Sequence, residues 1–260
     1  MPRFAANVSM LFAEVPFLER FERAAQAGFM AVECQFPYEA RAAEIRARLD
    51  AHGLRMVLHN LPAGDWDGGE RGLACRPDRV VEFRAGVERA IAYAHALDVP
   101  QLNCLAGIAP PGIDAGLLHR TLVDNLRHAA HALRAAGLRL LVEPINTFDI
   151  PGFAVSRTAQ ALALLDEVGA DNAFVQYDVY HAQRMEGELA ATLRTHLARV
   201  GHVQVADNPG RHEPGTGEIS FEFLFDELDR LGYAGWVGCE YRPATTTEDG
   251  LGWLRDRRRA

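Results

Sequence analysis

The chain has 260 residues, 48% of them hydrophobic, and a formal net charge of −8, so it can bury a large core. The acidic balance argues against a nucleic acid as the partner, because phosphate binding requires a basic face. No apolar stretch approaches the length of a membrane span, and the N-terminus lacks the regions of a signal peptide. The four cysteines have no CxxC spacing, so we expect reduced thiols in a cytoplasmic protein.

Short β-rich runs alternate along the chain with segments whose apolar residues recur at helical spacing. In the segment 79–98, for example, Val80, Phe83, Val87 and Ile91 follow one another at intervals of three or four residues. Glycine follows several of these segments, as is common where a helix ends. The eight predicted strands span residues 4–10, 30–36, 54–60, 100–106, 138–144, 173–179, 201–207 and 235–241.

Eight β–α units in a chain of this length predict an α/β fold, a single (β/α)8 TIM barrel that spans residues 1–260 as one domain. A doubly wound open sheet is the alternative, although it would usually have fewer strands, and no GxGxxG motif follows the first strand. The longest non-helical stretch is 59–77. Because loops of that length in a compact domain are usually functional, we predict a lid or a wall of the active site there.

Polar residues stand at the predicted C-terminal ends of several strands, where the active sites of such barrels form. Carboxylates that converge at one mouth repel one another, and their desolvation costs several kcal/mol. A divalent cation would resolve this conflict, and oxygen ligands favour Mg²⁺ or Mn²⁺ over Zn²⁺. The predicted metal ligands on the last four strands are Glu143, Asp178, Gln204 and Glu240.

Each of these residues also has a structural interpretation. A single carboxylate at a strand end is commonly a helix cap or an ion-pair partner, and a buried glutamine such as Gln204 is commonly a hydrogen-bonded core residue. Asp207 is a candidate loop cap, and His181 is either a cap or a substrate ligand. His202 shares a strand face with Gln204, so we expect it inside the barrel in a structural role.

Five long segments point to a known family. They are "HNLPAGDWDGGERGLAC" (59–75), "EPINTFDIPGF" (143–153), "QYDVYHAQRMEGEL" (176–189), "HVQVADNPGRHEPGTGEI" (202–219) and "GCEYRPATTTEDGL" (238–251). Together with "FAANVSMLF" near the start, they resemble the bacterial hydroxypyruvate isomerase family over nearly the whole chain. The wider group is that of the xylose-isomerase-like barrels, which includes ketose 3-epimerases and 2-oxo-tetronate isomerases.

The resemblance implies a reversible conversion of hydroxypyruvate to tartronate semialdehyde, in which two glutamates transfer the proton. Here these catalytic residues would be Glu143 and Glu240. In the wider group a glutamate, an aspartate, a histidine and a glutamate on the last four strands hold a metal. At the position of that histidine this chain has Gln204, a departure that bears on metal dependence.

The substrate, a small 2-oxo acid, also requires a cation for its carboxylate, and an arginine fork can hold one with two hydrogen bonds. Arg71 and Arg211 lie in glycine-rich segments and are the candidates, although each could form a loop salt bridge instead. The other predicted substrate-binding residues are His59, Glu70 and His181.

Two alternative functions stay open at this point. The same mechanism could act on a longer sugar acid or a ketose, which the sequence does not distinguish. A metal-dependent endonuclease is a remote alternative, because it would require a histidine-rich multi-zinc cluster and a basic face. The sequence also leaves open whether the chain assembles into a homo-oligomer.

Overall fold

Eight parallel strands close into a barrel in the order of the chain, which confirms the predicted (β/α)8 fold. The protein is described from a computed structural model that covers residues 2–259. The strands are β1 (Arg3–Asn7), β2 (Ala31–Cys34), β3 (Arg55–Asn60), β4 (Gln101–Cys104), β5 (Arg139–Val142), β6 (Ala173–Asp178), β7 (Val200–Val205) and β8 (Trp236–Cys239).

Helices surround the barrel and connect its strands. Two of them lie between β6 and β7, and the last follows β8. A single 3₁₀ turn, Phe17–Glu19, directly precedes the first α-helix. The α-helices are α1 (Arg20–Gln26), α2 (Ala42–His52), α3 (Val80–Leu97), α4 (Ala115–Ala135), α5 (Thr158–Val168), α6 (Val179–Met185), α7 (Leu189–His196), α8 (Phe221–Arg230) and α9 (Gly252–Arg259).

The interior of the barrel is apolar near the N-terminal ends of its strands and polar above. Ala5, Ala31, Val57 and Leu141 form a small apolar cluster with Leu58, packed against the rings of Phe174 and Trp236. Since successive strand residues face opposite sides, Leu141 and Glu143 point to the same side of β5. The alternation therefore sends Glu143 into the mouth of the barrel.

The segment between β3 and α3 is a packed wall. Its backbone joins the residues after β4, because the Cys75 N–H donates to the Ala106 carbonyl at 2.8 Å. Gly72 has a φ of +122°, and a Cβ there would overlap the Leu105 carbonyl, so the close approach requires glycine. The Trp66 ring lies 5.0 Å from that of Phe36, which follows β2.

Two further predictions concern the chain as a whole. All four cysteines are buried and free, as expected for reduced thiols. Burial raises the pKa of the Cys75 thiol to about 11, so this loop cysteine is not a ready nucleophile. Among residues 2–259, none of the helices combines the length and the hydropathy that a membrane span requires.

Candidate active site

Three carboxylates are buried at one end of the barrel. Glu143 directly follows β5, Asp178 is the last residue of β6, and Glu240 directly follows β8. Their residues are 4%, 2% and 5% exposed, respectively. Because the strands are parallel, their C-terminal ends meet at one mouth, and the three acids influence one another electrostatically.

Glu143 has the environment of a carboxyl group that keeps its proton. Burial raises its pKa well above the usual range, and the charges of Glu240 and Asp178 raise it further. One oxygen, Oε2, accepts a hydrogen bond of 2.8 Å from Nδ2 of Asn103, the third residue of β4. The side-chain amide fixes the orientation of the carboxyl group across the mouth.

Asp178 has two unequal oxygens. Oδ1 caps helix α6 by accepting a hydrogen bond of 2.8 Å from the Tyr180 N–H. Oδ2 is buried and has no hydrogen-bond partner among the described residues. Burial raises the pKa of Asp178 to about 7, although the nearby guanidinium of Arg211 opposes the shift. A buried carboxylate oxygen without a donor is a position where a cation or a substrate hydroxyl would bind favourably.

Glu240 is surrounded by donors. Oε2 accepts a hydrogen bond of 2.8 Å from Nη2 of Arg211. Oε1 accepts from Nε2 of Gln35 at 3.0 Å and from Nδ2 of Asn7 at 3.2 Å. Burial raises the pKa of Glu240, and the charge of Arg211 lowers it. Three donors favour the ionised form, so Glu240 and Glu143 occupy electrostatically different places in one site.

Arg211 lies between two of the acids. Besides its bond to Glu240, Nη2 is 3.7 Å from Oδ2 of Asp178, and the guanidinium lies over the Tyr180 ring at 5.1 Å. Burial disfavours the charged guanidinium, yet Glu240 and Asp178 outweigh burial and raise its pKa. The positive charge of Arg211 therefore offsets part of the negative charge of Glu240 and Asp178.

The backbone around Arg211 is held by Asp207, which is a loop cap. The Asp207 carboxylate accepts four backbone hydrogen bonds of 2.9 to 3.1 Å, from residues 208, 215, 217 and 219. Arg211 itself has a φ of +55°, a left-handed conformation that is uncommon for a long side chain. The four hydrogen bonds that Asp207 accepts hold the loop in the conformation that directs the Arg211 side chain into the mouth.

A group that could hold a metal ion is formed by Glu143, Asp178 and His181. Nε2 of His181 lies 3.7 Å from Oε1 of Glu143 and 3.6 Å from Oδ2 of Asp178. The carboxylates, with the partnerless Oδ2, fit a hard cation that prefers oxygen ligands.

Gln204 is hydrogen-bonded at both ends of its amide. Its Oε1 accepts from Nε2 of Gln176 at 2.6 Å, and its Nε2 donates to Oε1 of Glu33 at 2.7 Å. Glu33 is fully buried, and its Oε2 is 2.6 Å from Nε2 of His202, so His202 lies inside the barrel as expected. A side chain at Gly238 would overlap Glu33. The carbonyl oxygen of Gln204 already accepts one hydrogen bond. Its predicted role as a metal ligand stays a prediction.

The remaining predicted residues lie on the β3 side. His59 is fully buried, burial lowers its pKa to about 4, and its Nε2 has no partner among the described residues. The Glu70 carboxylate binds Arg79 at 2.5 Å and the Asp65 N–H at 2.7 Å, so it stabilises the loop. Arg71 donates to two backbone carbonyls and lies 4.2 Å above the Trp66 ring. Their contact with substrate stays a prediction.

Several polar residues of the mouth were not predicted from the sequence. Five of them lie in or directly after a strand, whereas Asn146 lies four residues after the end of β5. A search for polar residues at alternate positions of each strand would have found these five, because successive strand residues face opposite sides. The six residues are Asn7, Glu33, Gln35, Asn103, Asn146 and Gln176.

Comparisons with known proteins place the chain among isomerases of one barrel family. A family described as "Xylose isomerase-like TIM barrel" matches residues 21–257. Hydroxypyruvate isomerase from Escherichia coli (strain K12) is 55% identical over 254 residues, which is 98% of each chain. A 2-oxo-tetronate isomerase from Cupriavidus necator is 49% identical over 255 residues, again 98% of each chain.

Among solved structures, the crystal structure of an AP endonuclease, family 2, from Brucella melitensis superposes with a TM-score of 0.96 at 46% identity. The match covers 98% of this chain and 99% of that chain. A histidine-rich multi-zinc cluster was the expectation for an endonuclease, whereas the candidate metal group here has two carboxylates and one histidine.

Proposed function

The chain belongs to the xylose isomerase-like TIM barrel family and is an isomerase, and from this premise we propose that it interconverts hydroxypyruvate and tartronate semialdehyde. The observation that supports this proposal most directly is the pair of buried glutamates at the ends of β5 and β8, Glu143 and Glu240, in unequal electrostatic environments. An isomerisation through an enediol requires two such groups, one that removes a proton and one that returns it.

The reaction balances without any other reactant. One carboxylate removes a proton from C3 of hydroxypyruvate, and the electron pair of that C–H bond moves to form an enediolate. A carboxylic acid then delivers a proton to C2, while the hydroxyl proton moves from O3 to O2. The product has an aldehyde at C3 and a hydroxyl at C2, and the reverse reaction exchanges the roles of the two glutamates.

The surroundings of the two glutamates favour different protonation states. Glu240 accepts hydrogen bonds from Arg211, Gln35 and Asn7, which favour its ionised form. Glu143 accepts one from Asn103, and its burial favours the protonated form. Of the two, Glu240 has the better-stabilised ionised form, which suits the base of an acid–base pair, and Glu143 suits the acid.

A divalent ion, Mg²⁺ or Mn²⁺, is the proposed cofactor. Glu143 and Asp178 would hold it, with Glu240 as a further carboxylate ligand and Gln204 as the predicted fourth residue. When bound, the ion would stabilise the negative charge that develops on the substrate oxygens. Within the chain itself, Arg211 supplies part of that stabilisation, since its guanidinium lies within 3.7 Å of two carboxylates.

Arg71 is the better candidate for binding the substrate carboxylate. It has no carboxylate partner within 4.0 Å among the side chains that the structure describes, whereas Arg211 already has Glu240. Arg71 lies over Trp66, Trp66 packs on Phe36, and the neighbouring Gln35 bonds to Glu240. This chain of contacts runs from the Arg71 side chain to the β2 side of the mouth.

A 2-oxo-tetronate is the second candidate substrate, because a relative with that activity in its name is 49% identical over 98% of this chain. It differs from hydroxypyruvate by one additional CHOH group, which the mechanism above tolerates. The wall formed by residues 61–76 would determine how much chain length fits.

The experiment that tests the proposal is proton exchange in D₂O. Hydroxypyruvate, a 2-oxo-tetronate and a ketose are each incubated with the protein, and loss of the C–H signal is followed by NMR. We expect exchange and product formation with hydroxypyruvate, and product formation slower by about 10²-fold or more with the Glu143→Gln variant. Exchange confined to the four-carbon acid would replace hydroxypyruvate as the substrate, and absence of exchange with all three would refute the proposal.

Assembly into a homo-oligomer and a cytoplasmic location are part of the same proposal. Light scattering coupled to size-exclusion chromatography measures the first, and fractionation of the native cells measures the second.

A further inference from the structure

The neighbours of His181 determine which of its two ring nitrogens carries a proton. Its Nδ1 lies 2.7 Å from Nδ2 of Asn146, a group that has only hydrogens to offer. An imidazole nitrogen facing an amide NH₂ must accept, so Nδ1 has no proton. In a neutral ring the proton is then on Nε2, and a doubly protonated ring would place two donors against each other.

The orientation of the Asn146 amide is fixed independently of His181. Its Oδ1 accepts two backbone hydrogen bonds, from the Phe148 N–H at 3.1 Å and the Asp149 N–H at 2.8 Å. Its Nδ2 also donates to Oδ2 of Asp149 at 3.1 Å. A rotated amide would turn its NH₂ group toward two N–H donors and its oxygen toward a carboxylate, so all three of these contacts would be lost.

We propose that Asn146 is a positioning residue that holds His181 as the Nε2–H tautomer, so that His181 donates a hydrogen bond into the active site and does not ligate a metal ion. The inference concerns the candidate site itself. Its functional half rests on the proposed isomerase function, whereas the tautomer rests on the contacts of Asn146.

The Nε2–H group points toward two carboxylates without bonding to either. The distances of 3.7 Å to Oε1 of Glu143 and 3.6 Å to Oδ2 of Asp178 exceed those of a hydrogen bond. A substrate oxygen placed between these groups would accept the hydrogen bond that neither carboxylate accepts. A neutral donor aimed at an oxygen that becomes negative stabilises the enediolate without any change of charge in the protein.

The same tautomer restricts metal binding. A histidine ligates a metal through a nitrogen without a proton, and in His181 that nitrogen is Nδ1, which is occupied by Asn146. An ion held by Glu143 and Asp178 would therefore have oxygen ligands from this part of the chain. This favours the hard cations over zinc on grounds that differ from those of the sequence.

His59 provides an internal contrast. Its Nδ1 lies 3.1 Å from the Asn60 carbonyl oxygen, which can only accept, and 3.3 Å from the Tyr38 hydroxyl, which donates its proton to that same carbonyl, so we place the proton of His59 on Nδ1. Two buried histidines of one protein thus have opposite tautomers. A measurement that distinguishes the tautomers has its own reference in the same sample.

An outer network supports Asn146 through Asp149. Oδ2 of Asp149 also accepts a hydrogen bond of 2.8 Å from the Tyr180 hydroxyl, which in turn accepts one of 2.8 Å from Arg184. Arg184 lies 3.4 Å from Oδ1 of Asp149. These contacts hold the Asp149 backbone N–H that orients the amide.

The test is ¹⁵N NMR of the full chain, labelled at histidine and treated with a chelator. In the wild type we expect Nε2–H for His181 and Nδ1–H for His59. Asn146→Asp keeps an acceptor for the backbone N–H groups but presents an oxygen to Nδ1, so His181 should change to Nδ1–H while His59 does not change. Asn146→Asp/Asp149→Asn is the second variant, because it removes the repulsion between two adjacent carboxylates. Asp149→Asn alone is the control that should keep the wild-type tautomer.

Three results distinguish the parts of the proposal. Nδ1–H at His181 in the wild type would overturn it outright. With the tautomer changed in the double variant, we expect a turnover about 10²-fold lower, as for a lost oxyanion donor, and tighter binding of Zn²⁺ measured by calorimetry. Unchanged turnover would overturn the donor role, and unchanged Zn²⁺ affinity would overturn the metal argument. Failure of the isomerase function itself would appear as a wild type that is inactive on every substrate, while the tautomer assignment is measured without any substrate.

Discussion

The guanidinium of Arg211 donates a hydrogen bond of 2.8 Å to the carboxylate of Glu240. Because of this hydrogen bond, we expect different roles for the two candidate arginines, Arg71 and Arg211. A guanidinium that neutralises Glu240, with Asp178 at 3.7 Å, has less charge to offer a substrate carboxylate than one that bonds only to backbone carbonyls. Arg71 and Arg211 should therefore differ in what their removal affects.

Arg71→Met is expected to weaken substrate binding and to leave turnover nearly unchanged. A charge-assisted hydrogen bond contributes about 1.5–3 kcal/mol, which corresponds to an increase in KM of about 10- to 150-fold at 1.4 kcal/mol per decade. Arg211→Met should lower kcat as well, because it removes a donor from Glu240. Steady-state kinetics of both variants separates the two effects.

The matched control is Arg46→Met, which removes an exposed arginine that pairs with Asp50 on α2. Its kinetics should equal those of the wild type. If Arg71→Met is indistinguishable from this control, another group binds the carboxylate, and His59 with its free Nε2 is the next candidate.

Glu143→Gln and Glu240→Gln are expected to keep the fold and to lose about 10²-fold or more in turnover, the range typical of a lost general acid–base group. Glutamine preserves the size and one acceptor oxygen, so Asn103 and Arg211 keep a partner. Stopped or continuous assays of both variants measure turnover, and thermal unfolding checks the fold. Recovery to near wild-type turnover at saturating Mg²⁺ or Mn²⁺ would show that the two residues act as ligands and not as acid–base catalysts.

The fold was predictable because its signal is repeated. Each predicted strand overlaps an observed one, since eight apolar runs alternate with segments of helical period. The bounds differ by a few residues, as at β1, which was predicted over 4–10 and is observed over Arg3–Asn7. That residues 1–260 form one domain stays a prediction, although all eight strands close a single barrel.

The candidate site was predictable in position and less so in its contacts. Strand ends can be found in a sequence, so Glu143, Asp178 and Glu240 could be placed at one mouth. Side-chain pairing across the barrel depends on registers that the sequence does not display. The engagement of Gln204 by Glu33 and Gln176, and of Glu70 by Arg79, therefore required the structure.

Glu33→Gln is expected to destabilise the protein by about 1–3 kcal/mol, the cost of leaving a buried hydrogen-bonding group unsatisfied. Glu33 accepts from Asn7 and Gln204 through Oε1 and lies 2.6 Å from His202 through Oε2, so an amide there would oppose donors with its own NH₂. Urea unfolding of both proteins measures the difference. Glu44→Gln, at an exposed pair with Arg41, is the control and should leave the free energy of unfolding nearly unchanged. A similarly small change for Glu33→Gln would mean that the buried network contributes little to stability.

Asp178→Asn is expected to make the metal-free protein more stable than the wild type at pH 8 and to leave the two nearly equal at about pH 4. Burial raises the pKa of Asp178 from 3.8 to about 7. A carboxyl group whose pKa is higher in the folded chain contributes stability that is fully present below its unfolded pKa of 3.8 and is lost as the pH rises from there to about 7. Asparagine keeps the Oδ1 cap of α6 and has no charge to desolvate, so the difference at pH 8 should reach at most about 4 kcal/mol, at 1.36 kcal/mol for each pH unit.

The comparison of the two proteins isolates Asp178 from the opposing effect of His59. Burial lowers the pKa of His59 to about 4, so His59 contributes stability that is lost as the pH falls from 6.5 toward 4, equally in both proteins. Unfolding in chelator at each pH measures the difference, and addition of Mg²⁺ or Mn²⁺ provides the second measurement. An ion bound by the Asp178 carboxylate should stabilise the wild type by RT ln(1 + [L]/Kd) and the asparagine variant much less. If the difference does not change with pH, Asp178 titrates well below 7 in the folded chain, and equal stabilisation by the ion would remove Asp178 from its ligands.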